Sequence, residues 1–233
     1  MGDDWLNNIK YKLKKNPTIY QKLIDYISPV KNDRRKDYRI MHKYLKGKTH
    51  VILNLGSGPF KLEDGIVNVD IEKYGSVAIV ADIQKLPFKD GTVDGVISIA
   101  VLEHVKDPLA MIQEARRVIK KGGYIYSVIP FMQGYHASPS DYQRYTISGI
   151  ENLHEGFQKV DAGTFGGPTS GFLWILQEWL SIALSFGSQR LYRIWFFLFT
   201  ITLWPLKYAD LILVRFPAAG NIASSFYYLG YKK

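Results

Sequence analysis

From residue 49 onward the hydrophobic positions fall into short runs separated by polar turns. VILNL (51–55) stops at Gly56-Ser57-Gly58-Pro59, and IVNVD (66–70), VAIVAD (77–82) and DGVISIA (94–100) follow as further runs of strand length. Residues 107–120 have helical spacing, opened by Asp107-Pro108 and followed by Lys121-Gly122-Gly123 in the position of a cap. YIYSVIP (124–130) predicts a fifth strand, FQKVDAGTF (157–165) a sixth and SFYYLGYKK (225–233) a seventh. Runs apolar on both faces, alternating with helices or crossovers, predict an α/β fold on a parallel sheet.

The flanking pieces are helical. Trp5, Leu6, Ile9 and Leu13 share one helical stripe, with Lys10, Lys12, Lys14 and Lys15 mostly opposite. Asn16-Pro17 interrupts it. Thr18 with Gln21 then has the form of a capping box for a second helix with Ile19, Leu23, Ile24 and Ile27 on one face, ended by Ser28-Pro29. A third short helix is expected over 36–46. Before the last strand, residues 172–184 align Phe172, Ile175, Leu176, Trp179, Leu180, Ala183 and Leu184, with Gln177, Glu178, Ser181 and Ser185 away from them. IWFFLFTITLWPL (194–206) carries no charge at all. As a helix it is roughly 20 Å long, short of a ~30 Å hydrocarbon core, so it is not expected to span a bilayer alone. Four of the five Trp lie in 172–204, and Arg190, Arg193, Lys207 and Arg215 flank the apolar parts. That arrangement suits a surface dipping into one leaflet; a helical subdomain packed on the sheet or on a second subunit is the competing expectation. The chain thus divides into a basic helical extension (1–48), an α/β domain (49–166 with 222–233) and an apolar helical insertion (167–221).

Composition narrows the chemistry. A chain of 233 residues, 47% hydrophobic, has apolar surface enough for a folded domain with an elaboration, which excludes a disordered or fibrous protein. The absence of Cys excludes disulfides, thiolate metal sites and a cysteine nucleophile. The five His are dispersed without metal-ligand spacing, so no metal is expected. There is no phosphate-binding Walker loop and no nucleophile elbow. The N-terminus lacks a signal-type apolar core, and a cytoplasmic protein is expected. Of the net charge of +9, residues 1–48 hold +8, with 13 Lys and Arg against five acids. This basic extension suits an anionic membrane surface, a phosphorylated substrate or nucleic acid, or serves simply as a solvated face.

The strongest local signal is the turn at Gly56-Ser57-Gly58, because glycines after a buried strand let a ligand approach the main chain. A dinucleotide fingerprint would place a third Gly at 61, which here is Lys61. Asp70, followed by Ile71, ends the second run where a carboxylate can accept from a ribose diol, and Asp82 with Ile83 ends the third, suited to an adenine amine and ring. Each Asp is equally suited to capping a turn.

The ordered set VILNLGSG, NVDIEKY, ADIQKLPFKDGTVDGVISIAVLEHV and MIQEARRVIKKGGYIYSVIP resembles S-adenosylmethionine-dependent methyltransferases of the Rossmann-like, methyltransferase type 11-like family. The resemblance covers about residues 50–165 plus the last strand and implies a seven-stranded sheet. It implies that Gly56, Ser57 and Gly58 face the methionine end of the cofactor, Asp70 the ribose and Asp82 with Ile83 the adenine. The main chain near Ile99 and Ala100 would meet the amino acid group, beside Leu102, Glu103 and His104. Two departures stand out. Asn54 occupies the position of the family's usual acid, and only 11 residues separate the turn from Asp70, so the first helix is expected to be very short or missing.

Methyl transfer is an in-line displacement at a sulfonium carbon, so the protein chiefly aligns donor and acceptor, and a hydroxyl acceptor gains from a general base. The loop after the fifth strand offers His136 as base, Asp141 to orient it and Arg144 to hold an anionic group on the acceptor; His104 is the rival base. PFMQGYHASPSDYQRYT resembles methyltransferases of bacterial and archaeal surface-glycan biosynthesis. With the apolar insertion, this points to O-methylation of a lipid-linked or membrane-proximal saccharide by a peripheral membrane enzyme that meets the bilayer through 172–215 and the basic N-terminus. A quinone or other lipid acceptor, a catalytically idle cofactor-binding scaffold and, least of all, a nucleic-acid methyltransferase are the alternatives.

Overall fold

The computed structural model describes residues 16–31, 43–44 and 50–233. The expected helix over 5–15 lies outside them, and of the one expected over 36–46 only Lys43 and Tyr44 are described, both helical. The first described helix, α1, is Pro17–Ile27. Its cap is Asn16, not the expected Thr18: Asn16 Oδ1 accepts from the Ile19 N–H at 3.2 Å, and Pro17 sits at the first helical position, where no N–H is needed.

Seven strands form one sheet: β1 (Ile52–Leu55), β2 (Ile66–Asp70), β3 (Ile79–Val80), β4 (Val93–Ile99), β5 (Ile119–Pro130), β6 (Gln158–Gly166) and β7 (Ser225–Tyr231), in the order β3-β2-β1-β4-β5-β7-β6. β1 pairs in parallel with β2 and β4, β2 with β3 and β4 with β5. The parallel expectation fails at β7. The Phe131 N–H just past β5 bonds the Ser224 carbonyl just before β7, and the Lys232 N–H bonds the Gly123 carbonyl near the start of β5, so β7 runs antiparallel to β5. No helix joins β1 to β2, as the short spacing predicts.

Helix α2 (Pro108–Val118) starts as expected, with Asp107 Oδ1 accepting from the Ala110 N–H at 3.0 Å. Its end differs from expectation. The chain turns extended at Ile119, and Gly122-Gly123 belong to β5. A Cβ on Gly123 would lie 2.7 Å from the Asp94 carbonyl of neighbouring β4, so Gly123 serves close strand approach, while Gly122 supplies a left-handed turn at φ +75° within the strand. Leu53, Leu55, Val69, Val96, Met111, Ala115, Val118, Ile125 and Ile129 fill the core. Helix α3 (Ile147–Leu153) leads into His154, which is fully buried. Its Nδ1–H donates to the Ile150 carbonyl (2.8 Å), Nε2 meets the Ser127 hydroxyl (2.9 Å), and the ring stacks on Tyr228.

Contacts divide the chain into two compact units. One holds the chain up to Asp33 with Pro130–His136 and Thr164–Phe226; the other holds Arg34–Ile129, Ala137–Gly163 and Tyr227–Lys233. In the first, α4 (Pro168–Ala183) and α5 (Gln189–Leu203) are followed by a 3₁₀ turn (Trp204–Ala209), the short α6 (Asp210–Leu213) and a second 3₁₀ turn (Pro217–Ile222). The helical run is longer than the apolar tract predicts. Ser188 caps α5 five residues before Arg193, and Gln189–Leu213 is long and apolar enough to cross a membrane by length and composition.

This unit is inverted relative to a water-soluble bundle. Phe172, Ile175, Trp179, Ile182 and Phe186 point outward, Phe186 at 87% exposure, as do Leu191, Ile194, Phe197, Leu198 and Ile201 of α5. Ser170, Gln177, Ser181, Lys207 and Asp210 are inside. Lys207 Nζ donates to the carbonyls of Asp25 (2.7 Å) and Ser28 (2.9 Å) at the end of α1, and Asp210 accepts from Thr169 N–H, Ser170 N–H and the Ser170 hydroxyl at the start of α4. Gly167 is glycine because a Cβ there would lie 2.3 Å from the Asp210 carboxyl carbon.

Burial pushes the His154 pKa down from 6.5 to about 4. Because the folded value lies below the unfolded one, its stabilisation is complete above pH ~6.5 and is lost as pH falls from there towards about 4. Denaturant titrations from pH 7.5 to 4.5 should lose on the order of 3 kcal/mol through this residue, and His154→Gln should flatten that part of the profile.

Candidate active site

The carboxyl ends of β1, β2 and β4 meet along one edge. The Gly56 and Ser57 N–H groups both face the Val69 carbonyl, at 2.8 and 3.3 Å, so the turn leaving β1 is tied to β2. Gly56 has φ +65°, and a Cβ would stand 2.6 Å from both Val101 methyls; glycine is required here twice over. Gly58 has φ +57° with no atom within 4 Å of where a Cβ would sit, which leaves its main chain open to a ligand. Its N–H donates to Asp70 Oδ2 at 2.7 Å, while Asp70 Oδ1 accepts from the Glu72 N–H at 2.8 Å. One carboxylate at the end of β2 thereby fixes the turn after β1, and each oxygen retains a lone pair for a diol.

Asn54 faces elsewhere. It is 4% exposed, and its Nδ2 donates to Asn68 Oδ1 at 3.0 Å, while Asn68 Nδ2 bonds the carbonyls of Phe60 and Ser76. The expected cofactor contact is a buried amide chain between β1 and β2. Ser57 is buried, and Ile71 is exposed at this edge. Asp82 is exposed and its Oδ1 accepts from the Gln84 N–H (2.9 Å), making the turn that carries Ile83 against the core. Ile99 ends β4, and Ala100 has φ +54°, a left-handed conformation uncommon without glycine. Its N–H is held by the Val128 carbonyl at 2.9 Å, so strain sits where the resemblance implies that main chain meets ligand.

The loop at 140–144 is stitched to the 3₁₀ turn Leu102–His104. His104 Nδ1 donates to the Ser140 carbonyl (2.6 Å), the Tyr142 N–H to the Glu103 carbonyl (2.8 Å), and Gln143 Nε2 to the carbonyls of Leu102 and Val105. His104 Nε2 lies 3.7 Å from Oε1 of the fully buried Glu103. Asp141, expected to orient His136, is gripped by Arg144 through both oxygens, Nη2 to Oδ2 at 2.6 Å and Nη1 to Oδ1. The same pairing engages the guanidinium expected to hold an acceptor anion. His136 belongs to the other unit, where its Nδ1 donates to the Gly134 carbonyl at 2.9 Å and its ring lies 5.3 Å from that of Trp174. A main-chain carbonyl, in place of a carboxylate, fixes this nitrogen.

Sequence reasoning missed a group beside His136. Trp174, Gln177 and Glu178 occupy the inner face of α4, and Glu178 Oε2 accepts from the Tyr192 hydroxyl of α5 at 2.7 Å. Burial pushes the Glu178 pKa up. The helical spacing separated Gln177 and Glu178 from the apolar stripe without saying which face turns inward.

Residues 62–127 match the family of methyltransferase domains. The β1–β4 edge, with its Gly56–Asp70 clamp, and this match agree. The match is to a methyltransferase domain, and the fold is that of Rossmann-like methyltransferases. An uncharacterized methyltransferase of Schizosaccharomyces pombe is 48% identical over 120 residues, covering 36% of this chain and 41% of that protein. The chain spans between 24% and 41% of the length of the curated relatives it matches. Among solved structures, a putative methyltransferase of Bacillus halodurans has a TM-score of 0.51 at 15% identity, covering 84% of this chain and 95% of that one. A Haemonchus contortus phosphoethanolamine N-methyltransferase 2 in complex with S-adenosylmethionine has a TM-score of 0.52 at 16% identity, covering 85% and 52%. The methyltransferase fold is the same; substrates do not transfer at such identity.

Calorimetry with S-adenosylmethionine should show Asp70→Ala weakening binding at least about tenfold, the loss of one charged hydrogen-bonding group. Gly56→Ala should lower stability by about 1–3 kcal/mol through φ strain and overlap with Val101. Gly58→Ala, with open space above it, should cost less stability and more affinity.

Proposed function

We propose that this chain is an O-methyltransferase acting on a lipid-linked or membrane-proximal saccharide from the surface of a membrane. The observation that carries the reading is the inverted helical unit. Apolar side chains recur on the outside at 172, 175, 179, 182 and 186 of α4 and its end, and at 191, 194, 198 and 201 of α5, while the polar residues lie inside. Water does not favour that distribution; a hydrocarbon layer does. Exposed Arg190 and Arg215 at the borders suit anionic head groups.

An orientation along the surface fits better than a crossing. The uncharged tract between Arg193 and Lys207 is still only 13 residues. Lys207 and Asp210 tie its far end to α1 and to the start of α4, next to exposed Lys22 and Asp25, which would have to enter hydrocarbon if α5 crossed it. One stripe of α5 is outward and the opposite side is half-buried, with no residue of the helix fully covered, an arrangement compatible with an in-plane helix.

In this reading S-adenosylmethionine lies along Gly56, Ser57, Gly58, Asp70, Ile71, Asp82, Ile83, Ile99 and Ala100. Its sulfonium supplies the methyl group. His136, with Nδ1 tied to the Gly134 carbonyl, is the base for the proton of an acceptor hydroxyl. The Asp141–Arg144 pair is a positioning element that stiffens the acceptor loop. Asn54, turned into the sheet, favours the idle-scaffold alternative to the extent that no charge is offered to the cofactor's ammonium.

Sedimentation with vesicles containing anionic phospholipid should pull down the protein. Trp179→Ser with Phe186→Ser should lose most of that binding while leaving cofactor affinity intact. Transfer of labelled methyl from S-adenosylmethionine into the organic-extractable fraction of membranes should fall about 10²-fold in His136→Ala. Equal transfer by that variant removes His136 as base, and no transfer by the unaltered chain favours the scaffold.

A further inference from the structure

We propose that the inner face of α4, at Trp174, Gln177 and Glu178, binds the hydroxyl-bearing head group of an amphiphilic acceptor. The assignment rests on the membrane-surface reading for the acceptor's origin, but its evidence is separate. These residues stand at i, i+3 and i+4, so their side chains share one helix face. Trp174 Nε1 is a buried donor without a hydrogen-bond partner, and Gln177, 2% exposed, has a buried Oε1 without one. Each such group costs about 1–3 kcal/mol when left unpaired, and apolar residues of similar size would avoid the penalty. A hydroxyl satisfies both at once: its oxygen accepts from the indole N–H and its proton goes to the amide oxygen.

Two further features bear on the ligand's chemistry. A Cβ on Gly134 would overlap Trp174 Nε1, so only glycine at that position lets the indole lie against this loop. That glycine also supplies the carbonyl that holds His136. The candidate base and the orphaned donor are thus built on one loop and one helix. Glu178, held by Tyr192 at 2.7 Å, places a carboxyl group next to the orphaned pair. An adjacent carboxyl disfavours a phosphate or carboxylate ligand and favours a neutral polyol. Its upward-shifted pKa follows from burial and accords with a ligand-facing acid.

The test uses the full chain labelled with ¹⁵N at the indoles of its five tryptophans, with the Trp174 signal assigned through Trp174→Phe. Titration with n-octyl β-D-glucopyranoside below its micellar concentration should move the Trp174 indole N–H signal downfield. Octyl phosphate at equal concentration should not. Gln177→Leu should weaken the glucoside response at least about tenfold, the worth of one hydrogen bond. A glucoside response confined to exposed Trp179, or an equal response of Trp174 to octyl phosphate, overturns the proposal. Failure of the unaltered chain to sediment with anionic vesicles while the Trp174 response is present overturns the membrane reading and leaves this site standing.

Discussion

One carboxylate holds the cofactor edge together. Asp70 closes β2 by accepting from the Gly58 and Glu72 N–H groups, and the Gly56 and Ser57 N–H groups return to the Val69 carbonyl one residue earlier. With no helix between β1 and β2 to brace the turn, these bonds take its place. Left-handed Gly56 and Gly58 make the geometry reachable, and the methyls of Val101 leave no room for any other residue at 56. The same bonds that fold the turn therefore hold its main chain toward ligand. Left-handed Ala100, at the end of neighbouring β4, extends that strained edge.

The helical unit distributes its polar residues differently. Its interior is pinned by charges that would be expensive to bury alone: Lys207 against the carbonyl end of α1, and Asp210 against the N–H end of α4. In each case a charge meets helix-terminal groups of the opposite polarity that lack partners within their own helix. Burial pushes the Lys207 pKa down, while the carbonyls it holds compensate by hydrogen bonding. With polar groups used inside as fasteners, the apolar residues are left for the outside. An exposed apolar surface and a polar seam on the inner face of α4 are then two consequences of one inversion.

The acceptor side is less tidy than a linear motif suggests. The stretch 136–144 reads as one catalytic group, yet its members take separate duties. Asp141 and Arg144 neutralise each other, Gln143 and the Ser140 carbonyl bind the turn after β4, and His136 is held by its own loop beside Trp174. A charged pair three residues apart on a loop can close on itself more cheaply than either member can reach a distant partner. Proximity in sequence therefore favoured the ion pair.

The seven strand segments, the missing first helix, the Gly56–Asp70 edge and the apolar insertion were legible in the residues, because local hydrophobic runs and glycine turns report on backbone conformation within a few positions. The direction of β7, the burial of Asn54 against Asn68, and the role of Gly122-Gly123 inside β5 were not, since each depends on a strand distant in sequence. Nor could periodicity alone orient α4. An amphipathic spacing separates two faces without naming which one meets solvent, and only packing against Tyr192, Lys207 and Asp210 turned the polar face inward.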